Sequence, residues 1–170
     1  GRVGATAGNS KVRGDLAVYW GSNPLESMPR HMSRYAIYPR GHWTRRGRFD
    51  RTVITVDPRR SPTAENSDLH VQLKPNTDYE LLSALLTLLH GRRPHRSVEE
   101  VTGVPISVME EMIEMMKGCN FGTIYVGLGI ASSYGKHRNA ELAFNLVKEL
   151  NGSTKFVIGA LRGHCNVAGF

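Results

Sequence analysis

The chain has 170 residues, of which 40% are hydrophobic and 22% charged, the proportions of an ordinary globular domain with one core. No apolar run approaches the roughly 18 residues that cross a bilayer, and Gly1-Arg2-Val3-Gly4 opens no signal-peptide apolar stretch, so the sequence reads as cytoplasmic. Two cysteines, Cys119 and Cys165, without CxxC spacing, argue against a zinc ribbon, an iron–sulfur cluster or a disulfide framework within these residues and read as reduced thiols.

In chain order, the first element is a buried strand, Asp15-Leu-Ala-Val-Tyr-Trp20, closed by the turn Gly21-Ser22-Asn23-Pro24. A helix is predicted over about 25–38; Pro29 weakens its start and Pro39 ends it. Residues 39–51 hold two glycines and no apolar period, and read as a basic loop or arm. The net charge of +7 belongs to this neighbourhood. Residues 30–60 carry nine arginines (Arg30, Arg34, Arg40, Arg45, Arg46, Arg48, Arg51, Arg59 and Arg60) against Asp50 and Asp57, and the rest of the chain is balanced. Next, Thr52-Val-Ile-Thr-Val-Asp57 is β-branched and predicts a second strand with Asp57 at its carboxyl end. Leu69-His-Val-Gln-Leu73 alternates like a strand near a sheet edge.

Three Ser/Thr-x-x-Glu boxes follow, at Thr77–Glu80, Ser97–Glu100 and Ser107–Glu110, each predicting a helix start in which hydroxyl and glutamate cap reciprocally. The first helix runs to His90 with leucines nearly all round it, and should be buried on most sides; Gly91 is its stop. A short helix comes next. The third carries methionines at 109, 112, 115 and 116, a core stripe rather than a binding surface. Thr123-Ile-Tyr-Val-Gly-Leu128 is another buried strand running into a Gly127/Gly129 turn. A helix over 139–150 turns Ala140, Ala143, Leu146, Val147 and Leu150 inward, and Phe156-Val-Ile-Gly-Ala-Leu161 is the last strand.

Strands alternating with helices predict a single α/β domain over 1–170: an open, mostly parallel, Rossmann-like sheet with helices on both faces and the basic arm inserted at 39–51. Ligands of such sheets bind beyond the carboxyl ends of the strands. Function is therefore expected at 20–27, 57–60, 75–78 and 127–132. Gly21 can let a ligand approach the backbone, Ser22 and Asn23 offer donors and acceptors, and Asp57 stands where a nucleotide domain places a carboxylate. Asp78, in a first helical turn, can accept from guanine N1–H and N2–H, charge-assisted bonds of ~1.5–3 kcal/mol each.

Six motifs stand in order: WGSNP at 20–24, VDPRRSPTAENSDLHVQLKPNTD at 56–78, the leucine-rich helix, VTGVPISVMEEM at 101–112, YVGLGIASSYGKH at 125–137 and LRGHCNVAG at 161–169. This series resembles the central nucleotide-binding domain of the formate dehydrogenase and periplasmic nitrate reductase superfamily, whose members hold tungsten or molybdenum between two pyranopterin guanine dinucleotides. With its basic arm, it resembles most the form found in the B-type subunit of formylmethanofuran dehydrogenase. The resemblance implies that Trp20, Gly21, Ser22, Asn23, Pro24 and Ser27 cradle one dinucleotide, Asn23 by its side chain. It implies that Val56, Asp57 and Arg59 approach the ribose, diphosphate or guanine, and that Asn76, Thr77 and Asp78 cap the guanine end. Leu128, Gly129 and Ser132 match the turn that faces the pterin. Arg162 matches an arginine beside the metal, where a guanidinium fork suits a carboxylate-like substrate such as formate or carbon dioxide.

Two departures stand out. His164 occupies the place of a glutamine that contacts the pterin in relatives. The cysteine or selenocysteine metal ligand and the iron–sulfur cysteines of relatives lie N-terminal to the matching region, so no metal ligand is expected here, and these residues alone should not turn over. The implied reaction is reduction of carbon dioxide in methanogenesis, with the remainder of the catalytic subunit and further subunits as partners and no membrane. The other reading of the same sequence is a nucleic-acid- or subunit-docking module, in which Arg45, Arg46 and Arg48 beside Trp43 and Phe49 combine charge with stacking surface.

Overall fold

The computed structural model describes residues 6–161. A first helix α1 (Ala7–Arg13), capped by Thr6, leads into β1 (Leu16–Trp20). Two short helices, α2 (Pro24–Ser27) and α3 (Pro29–His31), run into a π-helical turn over Met32–Ala36; a 3-10 turn (Gly47–Asp50) then precedes β2 (Thr52–Val56). Next come α4 (Pro62–Glu65), β3 (Leu69–Val71), α5 (Asp78–Leu89), α6 (Ser97–Thr102) and α7 (Ile106–Gly118). The chain continues through β4 (Phe121–Val126), α8 (Leu128–Ser132), α9 (His137–Leu150) and β5 (Lys155–Ala160). None of the described helices is long and apolar enough to cross a membrane.

All five strands are parallel, in the order β3-β2-β1-β4-β5. Every residue of the central β1 is buried, as expected of a parallel strand covered on both faces. The strand period of two sorts its side chains. Leu16, Val18 and Trp20 join the main core with Leu81, Leu82, Leu85, Met109, Met112, Met116, Leu146 and Leu150 of α5, α7 and α9. Ala17 and Tyr19 face the other way, with Met32, Ala36, Ile37, Val53 and Tyr125. Ser10 of α1 reaches this second face, where its hydroxyl shares a 3.1 Å hydrogen bond with Thr123. The alternating α/β architecture, the edge position of β3 and the methionine core stripe all stand as expected from sequence.

Several local expectations are corrected. No continuous helix spans 25–38, because Pro29 has no N–H to donate and excludes its predecessor from helical geometry; Met28 sits at φ −142°, ψ 69° between α2 and α3. None of the three capping boxes forms. The Thr77 hydroxyl donates backwards to Lys74 O (2.7 Å), and the Ser97 N–H is taken by His95 Nδ1 (3.2 Å). Ser107 lies inside α7, whose first N–H, on Ile106, donates to Glu99 Oε1 at 2.6 Å. Caps here come from preceding residues and a neighbouring helix, which a local motif does not encode. Leu86, Leu88 and Leu89 are only partly buried, so α5 has one deep face rather than being enclosed. On α9, Ala140 is exposed and the polar Asn139 takes the inward position.

Residues 39–51 are not a free arm. The Arg51 guanidinium is buried and donates to the carbonyls of Ser10, Lys11, Gly14, Ala36 and Pro39, tying the segment to α1 and the π-helical turn. Gly47, at φ +65°, packs against Tyr38 O, where a side chain would collide, and Thr44 is buried.

Candidate functional site

Because the strands are parallel, every loop that follows a strand emerges at one edge of the sheet. The order reverses between β1, whose chain neighbour β2 lies on one side, and β4 on the other. That switch point is the place where loops diverge and open-sheet ligands bind. Two glycine turns meet there. Gly127 N donates to Trp20 O (2.9 Å) and Gly129 N to Gly21 O (3.0 Å). Gly21 has φ +57°, and a Cβ on it would lie 2.7 Å from Ile130 N. A Cβ on Gly127 would collide with Gly21 O and Ser22 Cβ. The space that Gly21 leaves open is thus filled by the opposing loop; the glycines let two turns touch, rather than admitting a ligand at that atom. Beside them, Ser22 Oγ is buried with no partner among the described residues.

The loop after β1 is braced from the β2 side. Gly21 N donates to Val56 O (2.9 Å), and Asn23 Oδ1 accepts from Thr63 Oγ1 (2.7 Å), while Asn23 Nδ2 donates to Glu26 (2.6 Å). Pro24 begins α2 and is buried; the exposed Ser27 donates its hydroxyl back to Asn23 O. After β2, the buried Asp57 carboxylate accepts from Arg59 N (2.8 Å) and lies 3.9 Å from Arg59 Nε, while the Arg59 side chain stays 80% exposed. The Val56 side chain itself is in the core.

Trp20 occupies a position different from a ligand contact. Its side chain is wholly buried, and its indole N–H donates to Asp78 Oδ1 at 2.7 Å. The end of β1 is thereby joined to the first turn of α5. Asp78 is 7% exposed, and its Oδ2 takes no hydrogen bond from the described residues. Thr77 and the exposed Asn76, at φ +67°, form the turn leading into it. A cleft of about 550 Å³ adjoins this corner, lined by Pro58, His70, Gln72, Lys74, Pro75 and Gly103. On the β4 side, Leu128 is 77% exposed, and Gly129 and Ser132 are exposed beside it.

Asn23, Asp57 and Asp78 therefore lie in the segments that follow three adjacent strands, at one edge of the sheet. Arg162 and His164 lie outside the described residues. Among the described residues, no three His, Cys, Asp or Glu side chains gather as a metal site. Sequence reasoning overlooked Thr63, which a Ser-Pro helix start at Ser61-Pro62 places beneath Asn23. It also overlooked Asn139, fully buried, whose amide donates to Ile130 O (3.0 Å) and Ser133 Oγ (2.6 Å) and pins α8 to α9. Its signal was a polar residue on an apolar helical face.

The basic segment sits at the opposite end. Its 3-10 turn leads into the amino end of β2, and Arg48 pairs with Asp68, just before β3 (3.0 Å). Help from this segment in neutralising a ligand at the carboxyl edge is thereby ruled out. Elsewhere, burial pushes the Cys119 thiol up to about 12, and its hydrogen bond to Met116 O marks it as unreactive.

Comparisons with known proteins agree with this architecture. The B-type subunit of a tungsten-containing formylmethanofuran dehydrogenase 2 of Methanocaldococcus jannaschii is 46% identical over 165 residues, covering 97% of this chain and 38% of that protein. Its counterpart from Methanococcus maripaludis is 43% identical over 98% of the chain, again 38% of its own length. An F420-dependent formate dehydrogenase 2 subunit alpha of the latter organism is 24% identical over 92% of the chain and 22% of that protein. A chain of the formyltransferase/hydrolase complex of Methylorubrum extorquens, solved with methylofuran, shares the fold at TM-score 0.66 and 16% identity, over 94% of this chain and 39% of that one. No protein-family model matches. At 43 and 46% identity along nearly its whole length, the chain is homologous to the B-type subunit of formylmethanofuran dehydrogenase and spans 38% of the length of those relatives.

Proposed function

We propose that the carboxyl edge of this sheet holds the guanine-ended arm of a pyranopterin dinucleotide in a formylmethanofuran dehydrogenase-like oxidoreductase that reduces carbon dioxide. The observation that carries this reading is the convergence of Asn23, Asp57 and Asp78 after three neighbouring parallel strands, with Trp20 preorienting Asp78. Homology to proteins named as tungsten-containing supports a metal–pterin group, with tungsten or molybdenum as the metal. When bound, that group supplies the redox chemistry at carbon; the protein binds and orients.

The residues fit such a ligand. The buried carboxylate of Asp78 keeps Oδ2 for a guanine N–H, and Trp20 uses only one lone pair of Oδ1. Asp57 lies where a ribose hydroxyl would be bound, and the solvent-extended guanidinium of Arg59 can turn towards a diphosphate. Asn76 and Thr77 close the guanine end. The backbone at Gly21–Asn23, Pro24 and Ser27, with Leu128, Gly129 and Ser132, walls the side facing the pterin. Arg162 would orient the carboxylate-like substrate, with His164 at the pterin. The metal ligand, the iron–sulfur cluster and the other subunits would be contributed from outside these residues, in a cytoplasmic assembly.

Affinity for GDP and ADP tests the assignment. The chain should prefer GDP, and Asp78→Ala should erase that preference, a change of about tenfold or more for a lost charge-assisted bond. Equal binding of the two nucleotides by the unaltered chain would overturn it.

A further inference from the structure

A groove of about 1120 Å³ lies at the amino end of the sheet, lined by His42, Trp43, Arg45, Arg46, Arg48 and Phe49 with Asp50, Thr52 and Asp68. It is built on the segment that Arg51 anchors, so its walls are held in place: Asp50 accepts from Arg46 N (2.8 Å), Gly41 N donates to Thr44 O, and Asp68 fixes Arg48. On this rigid base stand large apolar groups without cover. Phe49 is 85% exposed and Trp43 43%, with Tyr35 and Tyr38 exposed just before them in sequence. Arg40 and Arg45 are exposed and form no ion pair among the described residues.

We propose that this groove is a docking surface for an acidic segment of another protein subunit, with Phe49 and Trp43 as apolar anchors and Arg45 and Arg40 meeting its carboxylates, while Arg46 is held by Asp50. Exposed aromatic and arginine side chains on a preordered loop are the composition of association hot spots, and little ordering is required on binding. The charge complement is an acidic one, since the insert holds five of the nine arginines of residues 30–60 against Asp50 alone. Asp50 and Asp68 break the positive field within the groove itself, which suits carboxylates at chosen positions and opposes a continuous phosphate backbone. The surface is at the other end of the strands from the cofactor edge. The inference therefore stands apart from the proposed function, and the two fail separately.

The test uses the full-length subunit co-expressed with the other subunits of its complex. The double variant R45E/F49A alters exposed side chains only. It should retain the unaltered subunit's melting temperature and nucleotide binding, yet associate at least about tenfold more weakly with its partners. Association of the unaltered protein should also weaken as salt is raised. Unchanged association in the variant would overturn the proposal. So would protection of Phe49 and Trp43 from hydroxyl-radical oxidation in the full-length subunit alone, since its own chain would then cover the groove. Binding of oligouridine that the variant loses while assembly persists would likewise overturn it, in favour of a nucleic-acid surface.

Discussion

Trp20 and Asp78 are 58 positions apart, yet one 2.7 Å hydrogen bond makes them a unit. Both residues were legible as important, but their relation was not. The motif around Trp20 suggested a ligand contact, whereas β-strand alternation turns the ring into the core. Trp20→Phe keeps an aromatic ring, though a smaller one, and removes the donor, leaving a buried carboxylate oxygen unsatisfied. The substitution should lower stability by about 1–3 kcal/mol in denaturant unfolding and narrow the GDP/ADP ratio. His31 offers a second residue-scale outcome. Its ring is buried edge-on against Tyr125 (4.7 Å) and Tyr19 (5.8 Å), its Nε2 has no partner among the described residues, and burial lowers its pKa to about 4. Between pH 6.5 and 4 the unfolded chain takes up a proton that the folded chain refuses. Stability contributed above pH 6.5 is thus lost as pH falls towards 4, by roughly 3 kcal/mol, and levels off below. Asp50, held below its usual range by the Arg46 N–H and guanidinium, gives way only at lower pH than this window. Unfolding midpoints at pH 7 and 4.5 should differ far less in His31→Phe.

At the scale of elements, the two glycine turns decide whether the edge assembles. Gly127→Ala would drive a methyl group into Gly21 O and Ser22 Cβ, both on the facing loop. Such overpacking should destabilise by about 1–3 kcal/mol, visible as a lower melting temperature, and should loosen nucleotide binding together with stability. Strands and the longer helices were legible because hydrophobic period and β-branching act locally. Helix starts were legible in position, with α5, α6 and α7 beginning within a residue of Thr77, Ser97 and Ser107, but their cap hydrogen bonds were not. Each Ser/Thr-x-x-Glu box competes with donors and acceptors brought from elsewhere: Glu99 of α6 satisfies the start of α7, and His95 that of α6. The break between α2 and α3 was legible in part, since proline chemistry is local, but the π-helical turn that follows depends on packing against β1 and β2. Asn139 escaped notice because its partners, Ile130 and Ser133, become neighbours only once α8 folds back onto α9.

For the whole molecule, alternation of strand and helix was enough to infer a parallel sheet and to nominate its carboxyl edge. The strand order, and with it the meeting of Gly21 and Gly129, comes from tertiary pairing that no single segment records. The address of the arginine-rich segment was legible in part, since in sequence it runs straight into the amino end of β2. What no local signal recorded is that the contacts of Arg51 with the residues preceding β1 fasten the whole segment there.

That address has an electrical consequence. A five-residue strand is roughly 17 Å long, about two Debye lengths in physiological salt. The positive charge of residues 39–51, five arginines against Asp50, is consequently screened from whatever the far loops grip. An anion seated there must find its counter-charge in neighbours such as Arg59 and Arg60 and in backbone dipoles. The two ligands proposed above, one phosphate-bearing and one carboxylate-bearing, would therefore be bound without feeling each other's charge.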